Sequence, residues 1–180
     1  PVDTTGMVMP LLSTVASVAR MSNSSKTVSL HQALSAAQPE NQYATDYLVQ
    51  EAFERAAYSE VLSLIAASPH AQTSGMVVRK CAALIACGAV EDVRAALASA
   101  LLSFPTTCAI LEFATYFSLS IGEADQAFGY AQRRVSARAD AHAYALLADA
   151  SLWCGLTAHA ARNYQLAQEH TPGLKRVSWG

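Results

Sequence analysis

The order of apolar and polar residues predicts helices along most of the chain. From about residue 42 onward, apolar positions recur with the helical period, and no run alternates strictly as a half-buried β-strand would. The few Gly and Pro residues fall between the apolar runs at regular intervals. This pattern predicts an all-α protein built from consecutive helices of similar length.

The segment 1–41 differs from the rest of the chain. Residues 10–21 (PLLSTVASVARM) and 30–37 (LHQALSAA) each predict a short apolar helix. Polar breaks follow them at residues 22–26 (SNSSK) and 38–42 (QPENQ). This composition is compatible with an arm, a linker or a capping element, and its apolar content argues against pure disorder.

The spacing of the punctuating residues is periodic. The turn glycines recur at almost equal intervals, and small or branched apolar residues follow each of them five and nine positions later. A Pro or Ala comes eight positions after that. A weaker copy of the pattern begins at Ala56, 32 residues before the first of these glycines. In chain order the positions are Ala56, Val61, Ile65 and an early Pro69; Gly88, Val93, Leu97 and Pro105; Gly122, Ala127, Ala131 and Ala139; Gly155, Ala160, Tyr164 and Pro172.

A period of about 34 residues is typical of stacked repeats, each too small to bury its own apolar face. Each unit would be a helix, a tight turn that needs a small residue, and a second helix. A small side chain after the turn lets the two backbones approach closely, and Pro ends the second helix.

These units resemble the tetratricopeptide repeat, whose pattern is W-x-x-L-G-x-x-Y, then A-x-x-x-F, then P. Residues 141–172 fit that pattern without a gap, residues 74–105 and 108–140 fit it in part, and residues 42–70 are the most degenerate. Lys80 stands where the family has Leu, which leaves the register of that helix open. In the best-fitting unit the matches are Tyr144, Leu147, Ala148, Ser151, Gly155, Ala160, Tyr164 and Pro172. The resemblance implies a right-handed helical-hairpin solenoid of about four repeats over residues 42–172. Residues 1–41 would form an N-terminal helical arm and residues 173–180 a tail.

The composition favours protein partners over nucleic acid. Charged residues make up only 14% of the chain and apolar residues 52%, so part of the surface is expected to be covered by a partner. The net charge of −2 argues against binding to phosphates, and the pairs at 133–134 (RR) and 175–176 (KR) are isolated. No apolar run is long enough to span a bilayer. Because the sequence begins at Pro1, a missing targeting signal carries no information.

Residues with catalytic or metal-binding chemistry are few and scattered. The four cysteines form no CxxC pair, which predicts reduced, buried thiols in a cytoplasmic compartment. Cys154 and His159 flank a predicted turn with no second ligand pair, and the other histidines are expected at helix ends, in a loop or, for His31, in a solvated arm. No phosphate loop or nucleophile elbow occurs. We therefore expect no enzyme, no metal and no cofactor.

The resemblance implies a concave groove lined by the first helix of each repeat. Positions at which other family members hold Lys, Arg and Asn for acidic chaperone tails carry Val78, Glu112 and Ala145 here, which disfavours that partner class. The groove would instead suit an apolar helix or extended segment, with Trp153 as the main anchor. Two alternatives stay open: these residues pack against neighbouring helices, or the N-terminal arm fills the groove. The candidate partner-binding residues are Val78, Ala82, Ile85, Glu112, Tyr116, Leu119, His142, Ala145, Asp149, Leu152 and Trp153.

The function expected from this groove is protein–protein interaction, as an adaptor, an assembly subunit or a chaperone. Bacterial type III secretion chaperones share this size and architecture, although no residue here is specific to them. Such a protein would act in the cytoplasm, with a homo- or hetero-oligomer possible. The alternative is a helical scaffold domain of a larger multidomain enzyme or transport machine, with Pro1 at a domain boundary.

Overall fold

The computed structural model describes residues 26–171, and within this range it contains helices and connecting turns but no strand. The predicted helix at 10–21, Pro172 and the tail lie outside the described residues. No described helix is long and apolar enough to cross a membrane. The helices, numbered in chain order, are α1 (Lys26–Ala37), α2 (Gln42–Glu54), α3 (Tyr58–Ala67), α4 (Ser74–Ala86), α5 (Val90–Ser103), α6 (Cys108–Ser120), α7 (Ala124–Ala137), α8 (Ala141–Trp153) and α9 (Thr157–Glu169).

The described residues divide into two compact units, and the division falls between Arg94 and Ala95, within α5. In the first unit, α1 packs on α2, α2 on α3, and α3 on α4. The core at α2, α3 and α4 is made of apolar side chains, most of them small or branched. Its buried members are Val49, Ala52, Val61, Ile65, Met76 and Ala83.

The second unit contains the remaining complete helices. Here α6 packs on α7, α7 on α8, and α8 on α9, while α6 also contacts α8. Alanine supplies most of the buried apolar positions, so the helices approach closely. The core cluster consists of Ala127, Ala131, Leu146, Leu147 and Ala150, with Leu119, Phe128 and Val135 packed against it.

Four of the interhelical turns share one backbone motif. After the first helix of each repeat, the residue in the left-handed region has a φ of 56° at Ala56, 74° at Gly88, 80° at Gly122 and 72° at Gly155. Its amide donates to the carbonyl three positions back, and the next amide donates to the carbonyl five positions back, at 2.8–3.1 Å. This is the Schellman motif. The periodic turn positions predicted from the sequence, including the degenerate one at Ala56, are confirmed.

Ala56 and Gly155 occupy the same turn position with different residues, which allows a reciprocal test. A side chain in the left-handed region is strained by about 1 kcal/mol or more, so Ala56→Gly is expected to raise the free energy of unfolding by roughly 0.5–1 kcal/mol. Gly155→Ala is expected to lower it by about 1 kcal/mol. Urea denaturation of both variants measures the two shifts, and a loss of stability in Ala56→Gly would contradict the strain argument.

The register of α4 is the same as that of α6. Val77, Cys81 and Leu84 are buried at the positions that Leu111, Thr115 and Ser118 occupy in α6, where they are buried too. Lys80 is exposed, so it departs from the family pattern without shifting the helix.

The prediction that His31 is solvated is wrong. Its side chain is fully buried on α1. The ring nitrogen Nδ1 lies 2.8 Å from the carbonyl oxygen of Thr27, and the ring stacks on Tyr47 with centroids 3.8 Å apart. The reason is tertiary: α1 packs on α2, which brings tyrosines of α2 over the imidazole.

Candidate functional site

The eleven predicted partner-binding residues lie on first helices of the repeats, and they divide between the two units. Three of them lie on α4 in the first unit: Val78 and Ala82 are half-buried, and Ile85 is exposed. The other eight lie on α6 and α8, which contact each other in the second unit. Each set is therefore a surface of its own unit.

The surface on α6 and α8, here called the α6–α8 face, combines exposed apolar groups with carboxylates. Tyr116 is 49% exposed, Leu152 48% and Trp153 64%. Ala145 and Asp149 are half-buried on the same helix as Leu152 and Trp153. Leu119 differs from the others because it packs against the core cluster of the unit.

Glu112 is held by an ionic network that reaches in from α7. The Arg134 guanidinium, whose side chain is fully buried, donates from Nε to Glu112 Oε1 at 2.6 Å and from Nη2 to Asp140 Oδ2 at 2.9 Å. Arg138 also pairs with Asp140 at 2.6 Å. His142 Nε2 lies 3.7 Å from the second Glu112 oxygen. Glu112 is thus positioned by a buried cation, and its charge is largely compensated.

The same network fixes the start of α8. Asp140 is the N-cap residue and accepts from the backbone amide of Ala143 at 2.9 Å. That hydrogen bond, followed by the one from Arg134, holds the pKa of Asp140 well below its usual range. Burial acts to lower the pKa of Arg134, but its hydrogen bonds to Glu112 and Asp140 outweigh burial, and the pKa is raised.

Asp149 is the second carboxylate of the face and has a different environment. It accepts a short hydrogen bond of 2.5 Å from the Tyr164 hydroxyl of α9. This hydrogen bond is the main cause of the raised pKa of Tyr164. The pKa of Tyr116 is also raised, by burial first and then by the negative charges of Asp149 and Glu112. Both carboxylates therefore act on the exposed tyrosine.

The sequence interpretation missed Arg134 because it was taken as half of an isolated basic pair. A signal was available: Ala127, Ala131 and Arg134 are spaced i, i+4 and i+7, which places the arginine on the buried stripe of α7. A polar pocket of about 540 Å³ in the first unit was also missed. It is lined by Tyr43, Asp46, Tyr47, Gln50, Glu51, Glu54 and Arg79.

The cysteines follow the predicted positions but not all of the predicted burial. Cys87 and Cys154 both occupy the C-cap position before a turn glycine, as the spacing predicts. Cys81 is buried, and burial raises the pKa of its thiol to about 11. The prediction that all four are buried is wrong for the other three: Cys87 is exposed, and Cys108 and Cys154 are only half-buried. These three lie at helix ends, where fewer neighbouring side chains cover them.

Comparison with known proteins identifies the fold. No family model matches the chain, and no curated protein matches its sequence. Solved structures do match. The crystal structure of MamA protein aligns with a TM-score of 0.72 and 14% identity over 92% of each chain. TTC0263, a thermophilic TPR protein in Thermus thermophilus, aligns with a TM-score of 0.64 and 17% identity over 92% of this chain and 90% of that one. A tetratricopeptide repeat protein from Parabacteroides merdae ATCC 43184 aligns with a TM-score of 0.63 and 13% identity. The alignment covers 95% of this chain and 69% of that one.

These likenesses show that the fold is all-α and built from helical-hairpin repeats. The particular architecture is that of the tetratricopeptide repeat solenoid, as the sequence resemblance implied. At identities below one fifth, the likeness concerns the fold alone.

Proposed function

We propose that this protein is an interaction module that binds a segment of a protein partner on the α6–α8 face. The observation that carries the proposal is the exposure of Tyr116, Leu152 and Trp153 on one pair of adjacent helices. Aromatic side chains dominate binding energy when a partner buries them. The helices that carry these side chains pack on α7 and α9, so a partner would meet anchors that are already held by folded helices, without a large ordering cost on binding.

The role we propose is that of an adaptor or chaperone that shields an apolar helix or extended segment of its partner. Two further observations support this role. Leu152 and Trp153 lie in the last turn of α8, so this end of the face carries two large, exposed apolar side chains. Four free thiols support a reducing, cytoplasmic location as part of the proposal.

Trp153→Ala tests the proposal, with Leu102→Ala as its matched control. Leu102 is 86% exposed on α5 of the same unit and is not part of the face. Tagged wild type and both variants are used for co-purification from lysate of the source cells, and bound proteins are quantified by mass spectrometry. We expect Trp153→Ala to reduce recovery of a specific partner by about tenfold or more. Leu102→Ala should recover it as wild type does.

Both variants remove an exposed side chain, so their thermal unfolding midpoints should match that of wild type. Unchanged partner recovery with Trp153→Ala, or an equal loss with Leu102→Ala, would contradict the assignment of the anchor to this face.

A further inference from the structure

The charges of the α6–α8 face are balanced everywhere except at Asp149. Glu112 and Asp140 share the cations of Arg134 and Arg138, so these four groups sum to zero. Asp149 makes no ion pair with any residue between 26 and 171; its partner is the neutral hydroxyl of Tyr164. One net negative charge therefore remains on the surface that the proposed partner would cover.

Covering this carboxylate with an apolar segment would be unfavourable. A partner that buries Asp149 removes its water, and one hydrogen bond from Tyr164 does not replace the lost hydration of a charged group. A cation brought by the partner compensates the charge and restores hydrogen bonds. An anionic segment would add repulsion from Asp149.

The surroundings of Asp149 are suited to a long cationic side chain. Ala145 lies one turn before Asp149 on α8, and its methyl group is the smallest side chain that could stand there apart from glycine. Tyr116 offers a half-exposed aromatic ring acted on by the same carboxylate. Lysine and arginine interact favourably with the face of such a ring.

Large apolar side chains adjoin this position on its other side. Leu152 and Trp153 follow Asp149 by three and four positions, so they lie one turn further along the same helix face. A segment lying along α8 would meet the carboxylate first and the apolar pair about 5 Å later.

We propose that the α6–α8 face binds a protein segment in which a lysine or arginine is flanked by large apolar residues. Asp149 holds the cation, and Leu152 and Trp153 take the apolar side chains. This inference rests on the proposed function and adds the chemistry of the partner to it.

Three amphipathic peptides of equal length and leucine content test the inference. Their polar positions carry lysine, glutamine or glutamate, and each is titrated with the full chain by fluorescence anisotropy at about 0.15 M salt. We expect the lysine peptide to bind roughly tenfold more tightly than the glutamine peptide, with the glutamate peptide weakest. Higher salt should narrow the difference.

Asp149→Asn assigns the preference to one residue, because its amide oxygen still accepts from Tyr164 and preserves the fold. We expect this variant to lose most of the lysine preference, about tenfold, while binding of the glutamine peptide stays unchanged. Glu91→Gln is the control: it removes an equal charge from a side chain that is 87% exposed on α5. Its peptide affinities should equal those of wild type.

Each failure has a separate meaning. Equal binding of all three peptides, or a lysine preference that survives in Asp149→Asn, overturns the cation site while the proposed function stands. Binding of none of the three peptides overturns both.

Discussion

Replacing Arg134 with methionine is expected to lower the free energy of unfolding by about 3 kcal/mol. The guanidinium is fully buried and joins Glu112 on α6 to Asp140 at the start of α8. Methionine fills much of the volume but removes the donor to Glu112 and to the carbonyl of Arg138. Asp140 loses Arg134 as well and keeps only its hydrogen bonds from Ala143 and Arg138. The two carboxylates are about a quarter to a third exposed, so water can solvate them once Arg134 is gone. The expected loss of stability is therefore at the lower end of the range for a broken buried ion pair.

Arg133→Met is the matched control, because it changes the neighbouring arginine on the exposed face of the same helix. Arg133 donates to the carbonyl of Pro105 at 2.9 Å in an exposed setting. Its loss should change the free energy of unfolding by no more than about 0.5 kcal/mol. Urea unfolding followed by circular dichroism measures both variants. Equal destabilisation of the two would show that the network does not hold α6, α7 and α8 together.

Ala131→Leu is expected to destabilise the protein by about 3 kcal/mol through overpacking. Ala131 has no exposed surface and lies in the core cluster with Ala127, Leu146 and Ala150. The small side chain sets the distance between α7 and α8, so three added carbon atoms must displace a helix or force strained rotamers.

Gln132→Leu adds an apolar side chain one position further along the same helix, at an exposed site. Its effect on the free energy of unfolding should stay within about 0.5 kcal/mol. The comparison is made by denaturant titration under identical conditions. If Ala131→Leu is as stable as wild type, the interface between α7 and α8 can accommodate a larger side chain, and the overpacking argument is wrong.

The predicted face was only partly readable from the sequence. The helical period places Tyr116, Leu152 and Trp153 on first helices, where the structure finds them exposed. The role of Glu112 was not readable, because its compensation depends on Arg134, which is 22 residues away along the chain. The same holds for Asp149 and Tyr164, whose hydrogen bond joins two helices.

By itself the sequence determined the helices, their turns and their repeat. Helical periodicity and left-handed turn positions depend on residues a few positions apart, and so Ala56 could be placed at a turn although it is not a glycine. Only the tertiary structure decided which charges are buried and paired. Arg134 and His31 carry side chains that are usually solvated, and both are buried because neighbouring helices supply their partners. The partners on other helices, Glu112 for Arg134 and Tyr47 for His31, lie far from them along the chain, and a local pattern contains no information about where such parts meet.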